Sequence, residues 1–275
     1  MRSLNGKELA EYIKERQAKQ VRQLRQSYGI TPKLAIVVTV DNPVINVYLK
    51  LKKRYGTEIL IDVDVHHAKQ NEVKELLNKL SKDDSVHAII VQLPLEDPSE
   101  TEEIVNLVAP EKDVDGLGKN PNFDPATPLA ILWLLSGYNI NLVGKDVVLV
   151  GRGKLVGAPL EQMLIASGVT PRVLVKDTPN VPKEIAKADV VITATGVAGL
   201  IKPSMIKHGA VVVDAGVASE GGKTVGDVAP EVFEERDDIT ITPTKGGVGP
   251  LTVCALFENV IRASQRIADA KKPES

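Results

Sequence analysis

The stretch "DVVLVGRGKLVGAPL", residues 146–160, decides the fold. Its first half is a β-branched and aliphatic run with a single charge, the pattern of a strand buried on both faces. Gly151, Gly153 and Gly157 follow at the entrance to a helical segment. The spacing, G-x-G-x-x-x-G, is one residue longer than the usual dinucleotide fingerprint, but the physical demands are the same. One glycine permits the tight turn, another lets a pyrophosphate approach the backbone, and the helix N-terminus presents free N–H groups to the anion. A strand before and a helix after supply the context such a motif needs. The stretch therefore points to a dinucleotide site, with a plain strand–turn–helix as the alternative.

Which dinucleotide depends on the next strand, where a ribose-binding acid is expected about 20 residues on. That strand ends "VLVKDT", so Lys176 precedes Asp177. Arg152 and Lys176 could clamp a 2′-phosphate, whereas Asp177 could hold an unphosphorylated ribose. The two cations favour NADP, with NAD not excluded.

Outward from this stretch, strand-length apolar runs alternate with helical segments in two series. Downstream lie "RVLVK" (172–176), "DVVITATG" (189–196), "AVVVDAG" (210–216) and "ITITP" (239–243), with helices expected at 155–167, 181–187 and 203–208. "KGGVGP" (245–250) then leads into a terminal helix over about 251–271. Upstream, "LAIVVTV" (34–40), "EILIDV" (58–63) and "AIIVQL" (88–93) read as parallel strands. The segments around 43–55, 70–82 and 99–107 read as helices, and "ELAEYIKERQAKQVRQLRQ" has a loose helical period. The Gly-, Pro-, Asn- and Asp-rich stretch 109–128 reads as a long loop between the series. The fold class is therefore α/β with two domains.

Hydrophobic residues make up 43% of the 275, enough for a sizeable core. A net charge of −2 argues against a nucleic-acid-binding body. Cys254 is the only cysteine, which rules out an internal disulfide and fits a reducing compartment. The N-terminal segment lacks an apolar signal core, its glutamates count against a transit peptide, and no run reaches membrane-spanning length. A cytoplasmic protein is expected.

In "YLKLKKRY", residues 48–55, helical phase separates one cation from its neighbours. Val44, Tyr48, Lys52 and Tyr55 or Gly56 share a stripe with Val47 and Leu51 beside it, while Lys50, Lys53 and Arg54 project elsewhere. A lysine on an apolar stripe either loses solvation and becomes useful in proton transfer, or snorkels to water. Helical phase leaves both open.

Five strings narrow the choice: Tyr48-x-x-x-Lys52, "VQLPL" (91–95), "P-x-KDVDG" (110–116), "GR-x-x-x-VG-x-P" (151–159) and "GGVGP-x-T" (246–252). In this order and spacing the chain closely resembles the bifunctional methylenetetrahydrofolate dehydrogenase/methenyltetrahydrofolate cyclohydrolase family of folate one-carbon metabolism. The resemblance implies oxidation of 5,10-methylenetetrahydrofolate with NADP, then hydrolysis to 10-formyltetrahydrofolate, in a pathway that serves purine, histidine and methionine synthesis. It makes Lys52 the central catalytic group, Gln92 its hydrogen-bonding partner, and Tyr48 a packing surface for the folate. Leu93 lines the same site, and Asp115 holds the polar edge of the pterin. Gly249, Pro250 and Thr252 would line the cleft where folate meets nicotinamide. Gly151, Arg152, Gly153, Lys176, Thr195, Gly196 and Val217 would touch the cofactor, and no metal is called for.

The resemblance also implies a homodimer. It implies a folate-binding domain over 1–128 plus 250–275, with the terminal helix packing back on it, and a Rossmann-like domain over 129–249. The chain departs from the family's common pattern at Gly153, Ala126, Lys245, Ile45 and Lys176, and its loop after "DVDG" is short. None of these positions is a proposed catalytic group. Two other readings of the residues are a nicotinamide-dependent dehydrogenase of another small substrate and a non-catalytic nucleotide-sensing module.

Overall fold

The computed structural model describes residues 1–220 and 223–270. The chain begins with β1 (Arg2–Ser3), α1 (Gly6–Tyr28), β2 (Lys33–Val38), α2 (Pro43–Glu58), β3 (Asp62–His67), α3 (Val73–Lys82), β4 (Ala88–Val91) and α4 (Thr101–Val105). It continues through α5 (Ala126–Gly137), β5 (Val147–Val150), α6 (Gly157–Ala166), β6 (Arg172–Leu174), α7 (Val181–Ile185), β7 (Val190–Thr193) and β8 (Val211–Asp214). The last elements are β9 (Ala218–Glu220), β10 (Lys223–Val225), α8 (Pro230–Glu235), β11 (Thr240–Ile241) and α9 (Val248–Ala270). Among the described residues no helix is long and apolar enough to cross a membrane.

Two compact units divide these elements. A lysine unit comprises Glu11–Ala126 and the chain from Val253 onward, and a glycine-loop unit comprises Met1–Ala10 and Thr127–Thr252. The first ten residues, expected in the folate domain, thus join the other unit, and the breaks fall after 126 and 252 rather than after 128 and 249. The reason is backbone pairing. β1 lies parallel to β11, with Arg2 opposite Thr240 and Ser3 opposite Ile241. The Leu4 N–H completes the edge by donating to Ile241 O at 2.8 Å.

In the lysine unit three parallel strands run in the order β3-β2-β4. The middle strand is wholly apolar after Lys33, as a strand covered on both faces must be. One of its faces, with Ala35 and Val37, packs with Ile89 and Val91 of β4 against Leu77 and Leu80 of α3 and Ile104 of α4. Each such fully buried aliphatic side chain contributes about 1.5–3 kcal/mol. The expected strand "EILIDV" is displaced. α2 runs on to Glu58, the apolar residues Ile59 and Ile61 close its end under Leu60 at φ 67°, and the strand is Asp62–His67. As an edge strand, β3 can alternate polar with half-buried residues, so it lacks an apolar run. The terminal helix packs back on this unit: the Phe257 ring stands 5.0 Å from that of Tyr55.

The glycine-loop unit holds six parallel strands in the order β1-β11-β8-β7-β5-β6. Val148, Val150, Val191 and Val212 lie in one core cluster with Ile185, Ile201 and Val232. The expected loop end at 128 is overtaken by α5, which starts at Ala126 and is apolar on every side, so it offers no period to read.

Both sheets are wound alike. The chain leaves β2 for β3 on one side and crosses to β4 on the other; it leaves β5 for β6 and crosses to β7. Each reversal opens a crevice at the carboxyl ends of the flanking strands. In one unit that crevice faces the start of α2 and the residues after β4. In the other it faces the glycine loop and the residues after β7.

Candidate active site

α2 begins where its sequence says it should. Asn42 accepts a hydrogen bond from the Ile45 N–H at 2.9 Å, and Pro43 takes the first turn, where no N–H is needed. The buried row of this helix is Ile45, Leu49 and Gly56, with Lys52 half-buried between the last two. This corrects the expected stripe: Val44, Val47, Tyr48 and Leu51 form an exposed apolar strip, and Lys52 stands at its border with the core. Lys50, Lys53 and Arg54 are exposed, as phase required, and Arg54 pairs with Glu58 at 2.8 Å.

The Lys52 ammonium donates to Gln92 Oε1 at 2.9 Å. Gln92 follows β4 directly; its N–H donates to Val37 O at 2.9 Å, and its side-chain amide donates to Leu93 O at 2.9 Å. The amide group is thereby oriented with its oxygen toward the lysine. A neutral amide oxygen can accept from an ammonium or from an amine, and it holds the proton on less firmly than a carboxylate in its place would. Burial pushes the Lys52 pKa below the ordinary lysine value, and the Asp115 carboxylate pulls it partly back. Burial pushes Asp115 up, with Lys52 opposing and Asp113 reinforcing the shift.

The three charges of "KDVDG" have separate employments. Lys112 Nζ donates to Leu80 O at 3.3 Å and Asp83 O at 2.8 Å, closing the carbonyl end of α3. The Asp113 carboxylate accepts from the N–H groups of Gly116 at 3.1 Å and Gly118 at 2.8 Å, and so holds the loop's own turn. Only the Asp115 carboxylate accepts no hydrogen bond among the described residues. Asn259 of α9, which the sequence reading missed, donates to Val114 O and Asp124 O at 2.9 Å each and pins both arms of this loop.

In the glycine-loop unit, Gly151 has φ 97°, and a Cβ there would stand 2.7 Å from Ala194 O. A Cβ at Gly157 would overlap Gly151 O and stand 2.8 Å from the Arg152 Cα, whereas Gly153 faces open space. The first and third glycines thus serve close backbone packing, and the second leaves the loop uncovered. α6 starts at Gly157 with no side-chain cap, but the Ala158 N–H donates to Gly153 O at 3.0 Å and Pro159 has no N–H, so of the first turn Gly157 alone offers an N–H to an anion. Arg152 turns to Glu161 of α6 at 2.6 Å, while Lys176 and Asp177 stand exposed after β6.

Thr195 and Gly196 form a turn after β7, and Val217 follows β8, 62% exposed. Behind them lies a pair the sequence reading missed. Buried Asp227 and half-buried Asp214 accept hydrogen bonds from the backbone of both turns. Burial pushes the Asp214 carboxyl up, against the backbone N–H groups of Val228, Asp227 and Gly216. In sequence both look like turn aspartates; the one signal was "DAG" and "GD" as mirrored Asp/Gly neighbours. Gly249, Pro250 and Thr252 occupy the first turns of α9 in the same unit, where the Thr252 hydroxyl lies 3.4 Å from Val248 O. Tyr48, Lys52, Gln92, Leu93 and Asp115 belong to the lysine unit.

Comparison with known proteins gives the same two-part division of chemistry. Residues 4–115 match the family model for the catalytic domain of tetrahydrofolate dehydrogenase/cyclohydrolase, and residues 125–268 match that for its NAD(P)-binding domain. The bifunctional protein FolD of Campylobacter jejuni is 39% identical over 280 residues, spanning 96% of this chain and 99% of that one. The crystal structure of the bifunctional FolD methylenetetrahydrofolate dehydrogenase/cyclohydrolase from Campylobacter jejuni matches with a TM-score of 0.90 at 38% identity, covering 97% of this chain and 99% of that one. The Trypanosoma brucei methylenetetrahydrofolate dehydrogenase-cyclohydrolase, complexed with NADP cofactor and inhibitor, also matches at 0.90, with 27% identity and 98% of each chain covered. The chain belongs to the tetrahydrofolate dehydrogenase/cyclohydrolase family.

Proposed function

We propose that Lys52, oriented by Gln92 and balanced against Asp115, moves the proton in the hydrolytic step of this methylenetetrahydrofolate dehydrogenase and methenyltetrahydrofolate cyclohydrolase. The observation that carries the reading is the 2.9 Å contact between Lys52 Nζ and a neutral, pre-oriented amide oxygen beside a carboxylate. With its pKa lowered, Lys52 holds a larger share of neutral amine than an ordinary lysine at the same pH. That amine accepts a proton from the water that attacks the methenyl carbon. As the ring opens, the C–N5 bond breaks and Lys52 returns a proton to N5, while the second water proton leaves to solvent. The product is 10-formyltetrahydrofolate, and lysine ends as it began.

Asp115, with its carboxylate open, suits the adjacent N–H donors at the polar edge of a pterin. Tyr48, on the exposed apolar strip, offers a ring face to the folate, with Leu93, Gly249, Pro250 and Thr252 as further folate contacts. The glycine-loop unit fits NADP: Gly151 and Gly157 let the backbone close up, Gly153 leaves an open approach, and α6 has no side-chain cap over the Gly157 N–H. Arg152 and Lys176 supply cations for the 2′-phosphate, and Thr195, Gly196 and Val217 border the place of the nicotinamide. When bound, NADP supplies the acceptor for the hydride leaving the one-carbon bridge. A cytoplasmic homodimer feeding purine, histidine and methionine synthesis completes the proposal.

Lys52→Met tests the central role. Hydrolysis of methenyltetrahydrofolate should fall by a factor of about 100 or more, with the fold and NADP binding retained. Normal hydrolysis by the folded variant would remove Lys52 from the mechanism.

A further inference from the structure

The turns that border the cofactor's place have exposed tips. Gly196 and Val197 are exposed, and Gly196 is held at φ 68°. Their anchorage comes from beneath. The Asp227 carboxylate, fully buried, accepts from Thr193 Oγ1 at 2.6 Å and the Thr195 N–H at 2.7 Å on one oxygen, and from the Val197 N–H at 3.1 Å on the other. Asp214 in turn accepts from the N–H groups of Gly216 at 2.9 Å, Asp227 at 3.1 Å and Val228 at 3.0 Å.

The two carboxylates interlock. A Cβ at Gly216 would overlap the Asp227 carboxylate, and a Cβ at Gly226 would overlap that of Asp214. Each aspartate therefore fills the space left by the glycine beside the other. The fixed turns adjoin the glycine loop and each other: a Cβ on Gly151 would meet Thr195 Cγ2 at 3.1 Å, and one on Gly196 would meet Val217 O at 3.5 Å.

We propose that Asp227, locked by Asp214, is a positioning residue for the dehydrogenase reaction, setting the Thr195–Val197 and Ala215–Val217 turns against the nicotinamide cofactor. This rests on the placement of NADP given above. Among the described residues, every hydrogen bond that Asp227 accepts comes from β7 or the turn that follows it, and none comes from the lysine unit. Its loss should therefore separate the two activities, whereas a role in stability alone would lower both together.

The test uses the full chain and Asp227→Asn. An amide has one acceptor oxygen, so it cannot accept from both Thr195 and Val197, and one turn N–H is left facing an NH2 group. The dissociation constant and KM for NADP should rise about tenfold, with methenyltetrahydrofolate hydrolysis, assayed without NADP, within about twofold of the parent. Equal losses in both activities, or an unchanged NADP dissociation constant, would overturn the proposal. If Asp227→Asn does not fold, Thr193→Val decides: it removes one donor at nearly constant volume, and an unchanged NADP dissociation constant again overturns the idea. Val217→Trp separates the two inferences. If it leaves NADP binding intact, the cofactor placement fails and the proposal with it. If it weakens binding while the Asp227 variant does not, only the positioning role fails.

Discussion

Gln92→Glu is the sharpest perturbation of the proposed proton-handling site, because it changes charge with little change in shape. The substitution puts a carboxylate where an amide oxygen now stands 2.9 Å from Lys52 Nζ. At that separation a unit charge is worth about 6 kcal/mol at an effective dielectric of ~20, and about 1.4 kcal/mol in bulk water. At 1.36 kcal/mol per pKa unit, the Lys52 pKa should rise by between about one and about four units. The sign matters for the rate. In the parent, burial holds the Lys52 pKa below 10.5 and Asp115 opposes it, so the amine fraction climbs with pH through a value beneath that of free lysine. Hydrolysis should climb on the same limb. In Gln92→Glu the limb should move to higher pH by at least about one unit, and kcat below the limb should fall about tenfold or more. Gln92→Met, which lacks the charge, should not move the limb upward. The assay is the initial rate of methenyltetrahydrofolate hydrolysis across a pH series without NADP. A limb that stays in place or moves downward in Gln92→Glu would refute the assignment of that limb to Lys52.

Two further outcomes test the scaffold around this site. Asn42→Ala removes the acceptor for the Ile45 N–H, 2.9 Å away, and should cost about 1 kcal/mol in urea unfolding; an unchanged midpoint at equal slope would exclude the cap from the stability of α2. Burial pushes the Cys254 thiol up to about 11, with the Tyr55 hydroxyl opposing, so a disulfide reagent at pH 8 should label the native chain slowly and the unfolded chain at once. Rapid stoichiometric labelling of native protein would contradict that burial.

Much of this architecture could be read from residue order, and the exceptions have physical reasons. The glycine loop was legible because Gly151 and Gly157 answer local demands: a positive φ at one and backbone contact at the other. α2 was legible through its helical period, yet the period could not tell which side faced the core. Its rows hold apolar residues on two flanks, and only the buried one, Ile45 and Leu49, packs. β1 could not be seen because a two-residue edge strand gains its identity from β11, more than 200 residues away. β3 was misplaced because the edge of a small sheet needs no apolar run. Asp227 was invisible for a different reason: its meaning lies in Gly216 and Asp214, and any single aspartate after a glycine reads as a turn.

The shared winding of the two sheets has an engineering consequence. A crevice at each reversal of strand order comes with the path of the backbone, before any functional side chain is chosen. What distinguishes the proposed proton-handling site from the proposed cofactor site is then a few residues appended to the first and third strands: a lysine-bearing helix and Gln92 in one unit, a glycine turn and the Thr195 turn in the other. Such furnishing is separable from the core that supports it. Libraries aimed at new one-carbon chemistry should therefore vary 41–52 and 92–95, or 151–157 and 194–197, and leave the strands untouched.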